Sequence, residues 1–486
     1  MFRRLPALAA LATTALTVLS TPTHAQTDWS DDIALARQAL EMIHPGYDRY
    51  EGWQQRAGQW DALSRQAETG MSREDFYLGL SLILADIRCE HTKAELPDAL
   101  EALRDTQPVY LPFRFVTFDR RMYVDHPGET GLVRGTEILT LDGVSAYDRL
   151  AAVEPYLPVD GYTEHVRRIE MARTGEFMGS GFDHFDPLIN PDDDSVTLTY
   201  RTPDGETGEI TAGRLTFPQF LQLGSDGRRY RNFSEPGMVT TEILAEGVAR
   251  LNVETFVNYR TPVDPDAVYG PVFEQLSADG IDTLIVDLRR NGGGSTDAQQ
   301  GLMRHLIREP VTPIAELRVD AIEFGEVREH LSTWDQNALN PPARAFTQAA
   351  DGTYRINPVL VDGAHPLMPA EHAFQGEIII LTGPTNASGA TQIIGALREA
   401  ANVTLVGEAT GGAQTGPTAG VIFFLTLPKS EIVVRVPWQW AIPDITDADP
   451  RRGFQPDIYA PDTFESWNAG LDPALEAALA AATRLD

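Results

Sequence analysis

Apolar side chains recur at helical spacing along residues 31–46 (DDIALARQALEMIHPG), behind two aspartates that suit a first helical turn. Pro45 and Gly46 then stop the pattern. WQQRAGQWDALSRQAE and SREDFYLGLSLILADI repeat it, and Ser72 is placed to cap the second, with Asp75 three residues on. A helical region is expected over 26–105. It closes near RCEHTKAELP, whose mixed pattern reads as an extended segment or loop.

From Val109 the period shortens. LPFRFVTFDRRMYVDH and GLVRGTEILTLDGVSAYDRLAAV read as brief strands punctuated by Gly135 and the Asp142-Gly143 pair. Residues 156–235 are dense in Gly, Pro and Asp breakers. The last half changes again: GVARLNVETF predicts a strand, 265–278 a helix, and IDTLIVDLRRNGGG a buried strand running into glycines. DAQQGLMRHLI (helix), EIIILTGP (strand), ASGATQIIGALREA (helix) and VTLVGEATGG (strand, then glycine turn) follow. Such alternation implies right-handed crossovers and a largely parallel sheet, an α/β core. Chemistry in these sheets gathers at the carboxyl ends of strands, here residues 291–294, 386–388 and 408–413.

The N-terminus changes the expected location. Arg3 and Arg4 precede an apolar stretch over 7–20, and the small residue Ala25 precedes Gln26. That order is a secretory signal peptide over 1–25, and its apolar run is shorter than the ~20 residues of a membrane span. Export to the periplasm or medium is expected, with no membrane span after cleavage. The formal charge of −31 becomes −33 once Arg3 and Arg4 leave, which disfavours nucleic acid and other polyanions as partners. Cys89 is the only cysteine, so no internal disulfide can form, and Lys93 and Lys429 are the only lysines.

Ser388 follows a strand through a Gly-Pro turn and precedes a helix, where a helix N-terminus favours developing negative charge. The amide of Gly389 would point where an oxyanion forms. A plain N-cap serine is the bland reading of the same position. Gly292, Gly293 and Gly294 can bring backbone N–H groups close to a ligand without Cβ obstruction. They lack the Lys-Ser/Thr ending of a P-loop and the spacing of a dinucleotide fingerprint. Cys89 stands two residues from His91, but such neighbours rarely reach attack geometry, so a buried thiol is expected.

VDLRRNGGGS resembles the strand-to-glycine signature of the tail-specific (C-terminal processing) serine peptidases. TNASGATQIIGAL resembles their nucleophile segment, LVGEATGG their third landmark, and GFQPDI the segment closing the core; all four fall in family order between 240 and 465. GLVRGTEILTLDGVSA resembles half of a PDZ-like module, and IHPGYDRY the helical region of some members. The resemblance implies a PDZ-like region over 106–155, a β-rich insert over 156–238 and a catalytic core over 239–486. The bacterial branch uses a lysine base where this chain has Ala413. The tricorn-core branch takes a histidine from far upstream, and ADIRCEHTK is similar to that segment, which makes His91 the expected base.

The implied chemistry is acyl transfer on peptides or proteins. Ser388 attacks, His91 moves the proton, and the amides of Gly293 or Gly294 and of Gly389 hold the oxyanion. Glu408 and Asp449 both stand as third group. No metal or organic cofactor is implied. An exported binding protein with a retired site, or an esterase-like hydrolase, remain the alternative readings.

Overall fold

The strand Thr283–Asp287 is buried along its whole length, as a strand covered on both faces must be. In the computed structural model it lies inside a six-stranded sheet. The order is Ile458–Tyr459, Val403–Gly407, Glu377–Thr382, Thr283–Asp287, Val248–Val253, Val239–Ala245. All neighbours are parallel except the last pair, a hairpin. The structure describes residues 27–173, 180–191, 193–224, 231–361, 364–401 and 403–482; the expected signal peptide over 1–25 lies outside them.

Alternate side chains cover the two faces of this sheet. Leu284, Val286, Ile378 and Ile380 pack with Tyr269, Leu302 and Ile393 of the helices Pro265–Ala278, Thr296–Leu306 and Ser388–Ala400. Ile285, Ile379 and Leu381 pack with Ala474 and Ala478 of the helix Pro473–Ala482. The parallel α/β reading of the last half is therefore found in place.

The three expected early helices are Ser30–Ile43, Trp53–Glu68 and Arg73–Asp86. Ser72 caps the third by accepting the Asp75 amide at 3.0 Å. These helices do not close on themselves. Ile33, Leu40, Trp60 and Phe76 share one core with Phe423, Val434 and Trp438 from far along the chain. Those late residues belong to a second, antiparallel sheet built on Thr418–Thr426 and Val433–Pro443, which the sequence pattern did not announce. Buried Asp32 accepts the Lys429 and Ser430 amides at 3.1 and 2.7 Å. The short strand Ala94–Glu95 adds to the same sheet, with Ala94 opposite Val434.

A third sheet runs Arg114–Phe118, Arg121–His126, Glu137–Leu141, Ser195–Arg201, Thr207–Gly213, antiparallel throughout. Beside it the helices Ala146–Val153 and Gly181–Ile189 are joined by a bidentate pair, Arg149 Nε and Nη2 to Asp186 at 2.7 and 2.6 Å. Both side chains are buried, 3% and 0% exposed. Removing one partner strands the other charge, so Arg149→Ala is expected to destabilise the fold by about 3 kcal/mol or more. Urea unfolding of the two proteins checks this; a loss near that of a surface substitution would contradict it.

Candidate active site

Glu377–Thr382 ends at Gly383, and the next helix begins at Ser388 with φ at +49°. A residue with a side chain adopts that left-handed backbone at a cost of roughly 1–3 kcal/mol, and only where its surroundings hold it there. Ser388 does not cap the helix: the N-cap position is Ala387, which makes no side-chain cap bond. Its side chain is half-buried at the sheet mouth. Fully buried Asn386 fixes the turn. Its amide donates to the carbonyls of Leu288 and Asn291, its Oδ1 accepts the Gly383 N–H, and its own carbonyl accepts those of Gly411 and Gly412. One asparagine thus joins three strand ends.

The glycines pack directly on this turn. Gly293 has φ at +102°, and a Cβ there would stand 2.8 Å from Gly389 N and 3.0 Å from Ser388 Cβ. A Cβ on Gly389 would collide with Gln299 Oε1, and one on Gly412 with Thr391 Oγ1. Gly293 donates its own N–H to Asn291 Oδ1 at 2.8 Å. Among the described residues the Gly294 and Gly389 N–H groups have no protein acceptor. Ser388, Gly293, Gly294 and Gly389 are therefore brought together, and two of the three glycine amides are available to an incoming oxygen.

His91 is half-buried in a tight turn. Arg88 takes φ at +62°, and the Thr92 N–H closes back on the Cys89 carbonyl at 3.0 Å. Gly161 N–H donates to the Arg88 carbonyl and Arg88 Nη1 to the Gly161 carbonyl, both at 3.0 Å, while the Glu90 N–H donates to Asp160 Oδ1 at 2.9 Å. Asp160 is thereby pinned to the turn: one carboxylate oxygen, a His91 ring nitrogen and Cys89 Sγ lie within 4.8 Å of one another. Burial, then the charge of Glu90, pushes the Asp160 carboxyl up to about 8. Burial pushes the Cys89 thiol up to about 12, and its Sγ lies 2.7 Å from Thr418 Oγ1. A thiol so held stays neutral and is no rival nucleophile.

The two halves meet on one stretch of chain. Gly411 and Gly412 bond to Asn386 behind Ser388, and Thr418, six residues past Gly412, touches Cys89 beside His91. Six residues span at most about 20 Å. The other expected residues stand apart from His91 in their contacts. Both oxygens of Glu408 are taken by Arg168 Nη2 at 2.6 Å. Asp449 sits in a loop tied through its N–H to Gln414 Oε1 at 2.9 Å, and its carboxylate faces Arg452 at 3.4 Å. Ala413 is buried, and Lys429 pairs with Asp31 of the first helix at 2.8 Å.

Residues 248–460 match the model of peptidase family S41. Over this stretch the chain is similar to the S41 peptidases. The match supports a serine-type peptidase, a hydrolase, and the fold is shared with solved structures along most of the chain. Mature CPAF is similar over 90% of this chain and 93% of its own, at 15% identity and a TM-score of 0.61. CPAF complexed with lactacystin is similar over 90% and 94%, at 15% identity and 0.60. A putative peptidase from Parabacteroides merdae covers 93% and 96% at 14% identity, with a TM-score of 0.48. No curated protein sequence matches the chain.

Sequence reasoning singled out the glycines of the S41-like stretch but not the asparagines that hold them. Asn291 and Asn386 each stand just before a candidate segment's Gly or Ser, and a buried polar residue at a strand end was the signal available. Asp160 was missed for a different reason. It lies in LPVDGY, among breakers, outside the S41-like stretch, and only the fold carries it to His91.

Proposed function

We propose that this protein is exported and cleaves peptide bonds through an acyl-enzyme on Ser388, with His91 as general base. The observation that carries the reading is the left-handed Ser388 at the head of its helix, in contact range of Gly293 and followed by the free amide of Gly389. A strained turn of this kind holds a hydroxyl outward where a carbonyl can approach. His91 takes the hydroxyl proton as the Oγ–C bond forms, and the amides of Gly294 and Gly389 receive the charge that develops on the carbonyl oxygen. The C–N bond then breaks as His91 returns the proton to the leaving amine. Water, deprotonated by the same imidazole, releases the acyl group.

Asp160 rather than Glu408 or Asp449 is the group we assign to orient His91, because its buried carboxyl lies within 4.8 Å of a ring nitrogen while Glu408 is engaged with Arg168. The absence of a lysine beside Ala413 supports the histidine reading over a lysine base. Export rests on the Arg3-Arg4 start and the apolar run before Ala25. Among the described residues no helix is long and apolar enough to cross a membrane.

The test is covalent capture. A serine-directed fluorophosphonate is expected to label the wild-type protein, with the adduct mapping by mass spectrometry to Ser388, and to leave Ser388→Ala unlabelled. A folded wild-type protein that never labels would instead be a binding protein on a peptidase scaffold. Labelling that persists in Ser388→Ala would move the nucleophile elsewhere.

A further inference from the structure

Beside the proposed base stands a group of side chains that acyl transfer does not use in full. Cys89 is 3% exposed and Asp160 5%, while the His91 side chain is 19% exposed. Their donor atoms, one sulfur, one nitrogen and one oxygen, lie within 4.8 Å of one another. This is a borderline-soft mixed set, the kind that selects zinc over calcium or magnesium. Zinc bonds of about 2.0–2.3 Å place tetrahedral donors roughly 3.3–3.7 Å apart, so a closure of about 1 Å by side-chain rotation completes the set.

Backbone contacts and one bond to the Asp160 carboxylate hold this geometry. Cys89 and His91 share the turn closed by the Thr92 amide, and Asp160 is locked to that turn by the reciprocal Arg88–Gly161 bonds and by the Glu90 amide. The outer contacts suit an ion as well. Thr418 Oγ1, 2.7 Å from Cys89 Sγ, can donate to a thiolate, and the Glu90 carboxylate lies 3.9 Å from His91 Nε2. Arg49, whose guanidinium stacks on Trp440 and donates to the Gly416 carbonyl, interacts electrostatically with Asp160 and Cys89 and offsets the second carboxylate. A divalent ion bound to thiolate, imidazole and Asp160, with Glu90 and Arg49 beside it, leaves the group near electroneutral.

We propose that Cys89, His91 and Asp160 form a zinc-binding site, and that a bound ion holds His91 away from Ser388 and reversibly stops hydrolysis. Binding displaces the Cys89 thiol proton and the Asp160 carboxyl proton to solvent and uses the imidazole lone pair that would otherwise accept the serine proton. A chelator reverses both. The site itself stands on geometry alone; its inhibitory consequence rests on the reading of His91 as base.

The experiment uses the mature protein and Co²⁺ as a spectroscopic substitute for zinc. Tetrahedral cobalt bound through sulfur is expected to give a thiolate-to-metal charge-transfer band with visible d–d bands, removed by excess Zn²⁺ or by EDTA. Cys89→Ser is expected to lose the charge-transfer band, keep its fluorophosphonate labelling rate, and need about ten-fold or more zinc for the same inhibition. Asp160→Asn, similar in shape, is expected to weaken cobalt binding by about as much. Wild-type protein that labels at Ser388 yet shows no cobalt band overturns this inference and leaves the peptidase reading intact. A cobalt band that survives in Cys89→Ser overturns it too. A band lost in Cys89→Ser, in a protein that never labels, supports the site and overturns the peptidase reading.

Discussion

Ser388→Ala, His91→Ala and the double variant are expected to lower kcat on a peptide substrate by the same factor, about 10⁴ to 10⁶. The two groups act as one device: the hydroxyl is a poor nucleophile until the imidazole removes its proton, and the imidazole has nothing to activate without the hydroxyl. Removing either therefore removes the whole contribution, and removing both takes nothing more. What survives in all three variants is the stabilisation offered by the amides of Gly294 and Gly389, which neither substitution touches. Single-turnover and steady-state rates for the four proteins form a double-mutant cycle. Losses that multiply in the double variant, or a His91→Ala enzyme close to wild type, would end the assignment of His91 as base.

Acid is expected to distinguish the wild-type protein from His44→Gln. His44 is fully buried next to the His91 turn; its Nδ1 accepts the Gly46 N–H at 2.9 Å, so its Nε2 carries the proton shared with Thr92 Oγ1 at 2.7 Å. Burial, reinforced by the charges of Arg56 and Arg49, pulls its pKa from 6.5 down to about 3. The folded value lies below the unfolded one. As pH falls below 6.5 the unfolded chain therefore takes up a proton that the folded chain refuses, and stability is lost until the pH nears 3. The slope is about 1.4 kcal/mol per pH unit, and the whole window is worth roughly 5 kcal/mol. Asp160 works in the opposite sense, its folded value of about 8 standing above 3.8, so acidification between those values favours the fold. The wild-type curve alone mixes the two. The difference between wild type and His44→Gln isolates the histidine: it should be flat above pH 7 and fall steadily below 6.5. Parallel curves would show that His44 is not held neutral.

Local signals carried much of this fold because the catalytic half is built from consecutive units. IDTLIVDLRRNGGG reads as a buried strand running into a glycine turn before any partner is known, and it forms the strand Thr283–Asp287. The same holds for the helix Pro265–Ala278 and the capped helix Arg73–Asp86. The antiparallel sheet was illegible because its pairings are remote. Nothing near Ala94 announces Val434, some 340 residues away, and nothing near Phe76 announces Phe423. The site divides along the same line. The Ser388 turn and its glycines are local and were readable, while the surroundings of His91 depend on Asp160, Thr418 and Arg49, three separate stretches of chain. Glu408 shows the converse: a carboxylate in a glycine landmark looked chemical, and Arg168 from outside the S41-like stretch engages it.

The pairing of Ala94 with Val434 also sets a schedule. A chain emerging from its N-terminus makes the segment carrying the imidazole early, but the strand that receives it comes after nine-tenths of synthesis. Until Val433–Pro443 has been delivered, hydroxyl and imidazole belong to unconnected pieces. On the reading of His91 as base, a chain that stops short of Val433–Pro443 is expected to leave Ser388 without its proton acceptor.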